Sequence, residues 1–255
     1  MIRLDDLMAF LNATMGDTQA AAQIDPHMAN GLQVRGRDEV HILVTGVSAS
    51  LRFFEEARAL GADALLVHHS INMPASIHFD PIFSRRLRYL WEHDLSLIGY
   101  HYLLDSHAEV GNNAQIIKAL GGQLVEPYPP DGWGWVAEIE GGERRDFLLA
   151  RCTELFSQEG VHYPFGPERV RRMVVVSGGG APGPAQMAWL MAHQIDLYIT
   201  GEPREWSREL FREAGISFVA AGHYFTERVG VQALGDLLQR RLELDVKFLD
   251  LPNPV

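Results

Sequence analysis

Three short apolar runs in this chain each end on residue types that bind metal ions. Ala64-Leu65-Leu66-Val67 leads into His68-His69, Leu95 to Tyr100 leads into His101, and Ile216 to Ala221 leads into Gly222-His223. Short apolar runs bounded by turn residues predict strands buried on both faces, as in a parallel sheet. Ligands of open α/β sheets gather beyond the carboxyl ends of such strands. The runs therefore constrain both the architecture and the place where chemistry can occur.

The stretches between the runs have helical spacing. Leu7, Phe10, Leu11 and Met15 mark a helix within Leu4 to Gln23, followed by a loop through Asn30-Gly31-Leu32-Gln33-Val34. His41–Val47 reads as a strand, Ser48-Ala49-Ser50 as a cap, and Leu51–Leu60 as a helix ended by Gly61. Further helices are expected at Asp80–His93, Asn113–Leu120, Phe147–Gln158, Pro184–His193, Ser207–Ala214 and Glu227–Gln239, with strands at Trp133–Ile139, Met173–Val176 and Leu197–Thr200. Short β-α-β connections favour parallel pairing. The expected fold is α/β: two interlinked halves with mostly parallel sheets, and a metal site between them at the C-terminal strand ends. Prolines and glycine from Glu126 to Gly132 place the joint there. Residues 1–125 would then carry His68, His69 and Asp105, and residues 126–255 would carry His223 and Glu227. The C-terminal segment, extended at Val246–Leu249, is expected to pack back and complete one of the sheets.

Composition narrows the chemistry. The single cysteine, Cys152, rules out an intrachain disulfide and any cysteine-rich metal site, so nitrogen and oxygen must hold a metal. A formal charge of −11 opposes nucleic-acid binding. No apolar run approaches the roughly 20 residues that span a bilayer. The amino terminus has no charged-then-apolar signal pattern, so a cytoplasmic protein with no membrane partner is expected.

His68-His69 carries little by itself, because adjacent residues on extended backbone face opposite ways. Both rings reach one cleft only if the strand ends there and the chain turns. His223 and Glu227 are four residues apart, so they share a helix face if the helix begins near His223. A surface histidine with a capping carboxylate is the plain alternative. His101 and Asp105 have the same spacing, and either suits an ion. His101 alternatively suits a proton carrier, and Asp105 a buried cap for the helix at Asn112-Asn113. Glu202, just past the strand Leu197–Thr200, reads as a substrate-facing or supporting carboxylate. Ser177-Gly178-Gly179-Gly180 lacks the lysine of a P-loop and the spacing of a dinucleotide fingerprint. A glycine-rich turn required by geometry accounts for it, though its place between strand and helix keeps it a candidate anion site.

These residues fall within longer motifs. They include Asn30-Gly31-Leu32-Gln33-Val34, Val44 to Ser50, Gly61 to His69, and His101-Tyr102-Leu103-Leu104-Asp105-Ser106-His107. Gly111-Asn112-Asn113-Ala114, Asp196 to Glu202, and Gly222-His223-Tyr224-Phe225-Thr226-Glu227 complete the set. In this order they resemble the Nif-three-like family of dinuclear metal proteins, also labelled GTP cyclohydrolase 1 type 2 homologues, over nearly the whole chain. The resemblance implies metal ligands at His68, His69, Asp105, His223 and Glu227, with the glutamate bridging two ions. It also implies a two-domain α/β subunit and a ring-like homohexamer whose sites face an inner cavity. One departure is Ser70-Ile71-Asn72-Met73, where the family usually has proline or glycine and then aromatics. That makes the expected pocket wall more polar.

The expectation is a hydrolase using two divalent ions per subunit, with zinc, iron, manganese or nickel all compatible with imidazole and carboxylate. His101 or Glu202 would carry protons. The family label points to GTP cyclohydrolase-like chemistry on a nucleotide-like or small polar substrate. The rival is a non-catalytic metal-binding or interaction protein, distinguished by whether coordination positions stay open to water.

Overall fold

In the computed structural model, which describes residues 1–74, 78–129, 132–158 and 160–255, the expected β-α-β alternation forms two units. The first comprises residues 1–104 and 231–251, the second residues 105–230 and 252–255.

The chain opens with β1 (Ile2–Arg3), α1 (Leu4–Met15), α2 (Thr18–Ile24), β2 (Gly31–Val34) and β3 (Glu39–Val40). Then come β4 (Ile42–Ser48), α3 (Leu51–Ala59), β5 (Ala64–His69), α4 (Pro81–Glu92), β6 (Ser96–Gly99) and α5 (Tyr102–Ser106). The last strand, β13 (Asp245–Phe248), pairs parallel with β4 and completes a five-stranded sheet of order β13-β4-β5-β6-β2. Its pairs are parallel except that of β2 with β6. The segment with helical spacing, Leu4 to about Gln23, holds α1 over Leu7, Phe10, Leu11 and Met15 and a second helix beyond Gly16, whose φ of 91° ends the first. The expected loop at 31–34 is instead β2. A bulge between Leu32 and Val34 hides its alternation, and Gly31 at φ +128° enters it. Caps follow the sequence closely: Ser50 Oγ accepts from the Phe53 amide (3.1 Å), and Asp80 Oδ1 from those of Ile82 and Phe83 (2.7 and 2.9 Å).

The second unit contains α6 (Asn112–Ala119), β7 (Gln123–Tyr128), β8 (Gly134–Arg144), α7 (Arg145–Phe156) and β9 (Val161–Tyr163). It continues with β10 (Arg169–Val176), α8 (Pro184–Ala192), β11 (Leu197–Thr200), α9 (Ser207–Ala214), β12 (Ser217–Ala220) and the start of α10 (His223–Leu242). Its sheet order is β7-β8-β10-β11-β12-β9. Only the three central strands β10, β11 and β12 are mutually parallel; β8 joins β7 through a short hairpin and must run antiparallel. Alternate residues fill two cores. Met173, Val175, Leu197, Ile199 and Val219 face one side, while Val174, Tyr198, Phe218 and Ala220 face the other. Of the stretch expected as the joint, Glu126–Tyr128 lies in β7, and Pro130 and Asp131 lie outside the described residues.

The two sheets repeat one local device. Asp63, just before β5, accepts the amides of His41 and Ile42 through Oδ2 (2.8 and 3.0 Å). Asp196, just before β11, accepts those of Arg171 and Arg172 through Oδ2 (2.7 and 3.0 Å). Asp63 thus ties the entry of β5 to the start of β4, and Asp196 ties the entry of β11 to β10 beside its bulge.

Candidate metal centre

In the first unit, β5 stops at His69, which meets the condition that the sequence set for two adjacent histidines. The rings of His68 and His69 lie 4.6 Å apart, centroid to centroid. His101, one residue beyond Tyr100, adds a third ring at 5.0 Å from His68 and 5.3 Å from His69. One nitrogen of each falls within 4.8 Å of the others. Every Nδ1 has a partner in this unit. His68 Nδ1 donates to the Tyr100 carbonyl (2.9 Å), His101 Nδ1 to Asp25 Oδ2 (2.5 Å), and His69 Nδ1 lies 3.0 Å from Ser48 Oγ. A carbonyl and a carboxylate only accept, so at His68 and His101 the neutral ring carries its proton on Nδ1 and its lone pair on Nε2. That tautomer suits a metal ligand, with the partner raising the ring's basicity.

Asp25, Ser48 and the Tyr100 carbonyl were not singled out from the sequence. No spacing signals Asp25, which is 76 residues from the ring it holds. The Asn30–Val34 motif serves the same region: Asn30 Oδ1 accepts the His101 amide (2.9 Å), and Gln33 Oε1 accepts the Ile71 amide (2.9 Å). In the Ser70–Met73 segment, Ser70 and Ile71 are buried, while Asn72 and Met73 are exposed.

In the second unit, Asp105 is buried on α5, and its Oδ1 accepts from Asn112 Nδ2 (2.9 Å) and Ser177 Oγ (2.7 Å). It does not cap α6, whose preceding residue is Gly111. Asn113 bonds the Asp105 carbonyl (3.1 Å) and accepts the Ser177 amide (2.7 Å). Gly222, at φ +93°, turns the chain out of β12, and α10 begins at His223, four residues before the expected start. His223 and Glu227 are thereby one turn apart, with Nε2 and Oε1 at 3.1 Å. Glu202 bonds the other ring nitrogen, Nδ1. The hydrogen bond that protonated His223 donates to Glu227 pushes its pKa up to about 9; burial opposes it, and the Glu227 charge and the Glu202 contact add to it.

Gly178 belongs to this arrangement. At φ +60°, a Cβ there would run into the Glu227 carboxylate and lie 3.1 Å from His223 Nε2. Its carbonyl accepts the amides of Gly201 and Glu202 (2.9 and 3.0 Å), which positions Glu202. The geometric reading of the glycine run therefore holds at this residue.

Two α/β units that carry imidazole and carboxylate groups at strand ends define a protein class with candidate ligands for divalent metal. The family model Duf34/NIF3 (NGG1p interacting factor 3) matches residues 2–254, and the chain belongs to that family. It is 37% identical over 252 residues to the "GTP cyclohydrolase 1 type 2 homolog" of Salmonella typhimurium, covering 96% of this chain and 98% of that protein. Among solved structures it is similar to protein ybgI, of unknown function (TM-score 0.87, 34% identity, all of both chains covered). It is also similar to TTHA1606 from Thermus thermophilus (TM-score 0.84, 30% identity, all of both chains covered). No helix among the described residues is long and apolar enough to cross a membrane.

Proposed function

We propose that the chain is a metal-dependent hydrolase in which His68, His69, Asp105, His223 and Glu227 hold two divalent ions, with Glu227 touching both. The observation that carries this reading is the set of imidazoles anchored through Nδ1, which puts the lone pair on Nε2, for an ion at His68 and for a proton at His101. His223 has the same support from Glu202, and its Nε2 would have to give up its proton before it could hold a metal beside Glu227. Divalent ions supply an activated water and charge stabilisation at neutral pH. The protein's own share is to hold each ligand in one orientation and to move a proton. His101, backed by Asp25, is the proposed proton carrier, and Glu202 the alternative.

The name of the Salmonella relative supports a GTP cyclohydrolase-like reaction on a nucleotide-like substrate. A homohexamer in the cytoplasm belongs to the same proposal, and sedimentation well above the 28.5 kDa chain mass is its check. The deciding experiment is turnover on a panel of purine nucleotides, with and without chelator. Chelator-sensitive release of a ring-opened product is expected. A fully metal-loaded protein that turns over nothing would favour the non-catalytic reading.

A further inference from the structure

The glycine run after β10 is not wholly explained by the fold. Gly178 requires its positive φ, and a Cβ at Gly180 would lie 2.7 Å from the Cβ of Val176. Gly179 differs from both. Its φ lies outside the left-handed region, and a Cβ there would meet nothing closer than the Arg204 guanidinium at 3.8 Å and His223 Cε1 at 4.0 Å. Both are ordinary contact distances, so backbone and packing accept a side chain at this position. That side chain would nevertheless stand between a guanidinium and a proposed ligand histidine. The glycine keeps this floor open.

Arg204 is exposed and lies two residues beyond Glu202. Its amide donates to Ser207 Oγ (2.9 Å), which fixes the turn into α9. Its guanidinium makes no ion pair among the described residues, in a chain of net charge −11. The exposed Gly179 amide likewise donates to no acceptor among the described residues. A planar guanidinium fork and a backbone amide near one open floor match the oxygens of an anion. The fork can take two oxygens of one phosphoryl group and the amide a third, whereas a carboxylate has only two to offer. Three carboxylates lie nearby: Glu202 and Glu227 on His223, and Glu205 next to Arg204 in sequence. The first two are the groups that bound divalent ions would offset.

We propose that Arg204 and Gly179 form a phosphoryl-binding subsite beside His223, which makes Arg204 a specificity-determining residue for a phosphorylated substrate. The inference rests on the metal-dependent reading and narrows its substrate class.

The test is calorimetric titration of inorganic phosphate, and of guanosine triphosphate against guanosine, into the full chain at fixed ionic strength. Arg204→Ala, Arg204→Lys and Gly179→Ala are compared with the parent at equal, measured metal content, after thermal melts have shown that each variant folds. A charge-assisted bond of this kind predicts a loss of roughly tenfold or more in phosphate affinity for Arg204→Ala. Arg204→Lys should retain part of the affinity, Gly179→Ala should weaken it, and guanosine binding should be unchanged in all three. Equal phosphate affinity in parent and Arg204→Ala overturns the subsite, as does a parent that binds no phosphate. Samples that take up no metal would sink the proposed function, while the Arg204 comparison would still give its answer.

Discussion

In metal-stripped protein His223 should be an imidazolium at neutral pH, a consequence that can be followed without knowing any substrate. Its pKa is pushed up to about 9, first by the hydrogen bond it donates to Glu227 and then by charge, against the opposing effect of burial. The ring is 30% exposed, so solvent screens part of the interaction. The rise from 6.5 to about 9 corresponds to about 3 kcal/mol at about 1.4 kcal/mol per pH unit. Screening reduces the expected contribution to about 1–2 kcal/mol. The folded-state pKa is raised, so this stabilisation is complete below about pH 6.5 and is lost as pH rises through about 9. Urea unfolding of the chelator-treated chain should therefore weaken between pH 7 and pH 9.5, and the loss should be absent in His223→Gln. Ring-nitrogen NMR should place the His223 titration well above neutrality and show it falling in Glu227→Gln. Because the proton must leave before Nε2 can bind metal, apparent affinity should rise up to about tenfold per pH unit below about pH 9. A His223 titration at or below about pH 6.5 would refute the reasoning.

Glu227→Gln should cost more bound metal, by elemental analysis, than alanine at any single histidine, because the amide removes the charge that offsets two cations. His101→Ala should keep both ions and the melting temperature but lose turnover; loss of metal instead would make His101 a ligand. Gly178→Ala should destabilise by about 1–3 kcal/mol in urea, since φ +60° and the His223–Glu227 contact both exclude a Cβ. Asp196→Ala should cost about 1–3 kcal/mol by leaving two amides of β10 without their acceptor.

The strands were legible where they are buried on both faces. Ala64–Val67, Met173–Val176 and Leu197–Thr200 are nearly unbroken apolar runs, and all lie in strands. β2 was missed because a positive-φ glycine and a bulge break its alternation, and β9 because it is three half-buried residues held only by pairing with β12. At the site, sequence spacing brought out His223 with Glu227 and the paired histidines, whose relations are local. It could not bring out Asp25 or Ser48, which meet their histidines through tertiary structure alone. The start of α10 was misplaced because Gly222 looked like a continuing loop, whereas its φ of +93° starts the helix at once.

Metal stoichiometry by native mass spectrometry tests the central claim most directly. The full chain would be reconstituted in turn with zinc, manganese, iron(II) and nickel, then exchanged into volatile buffer. Two ions per chain are expected with at least one of these metals, and fewer than two when Asp105 or Glu227 is replaced by its amide. A parent chain that holds none of the four, or an Asp105→Asn and Glu227→Gln pair that still hold two ions each, would contradict the claim.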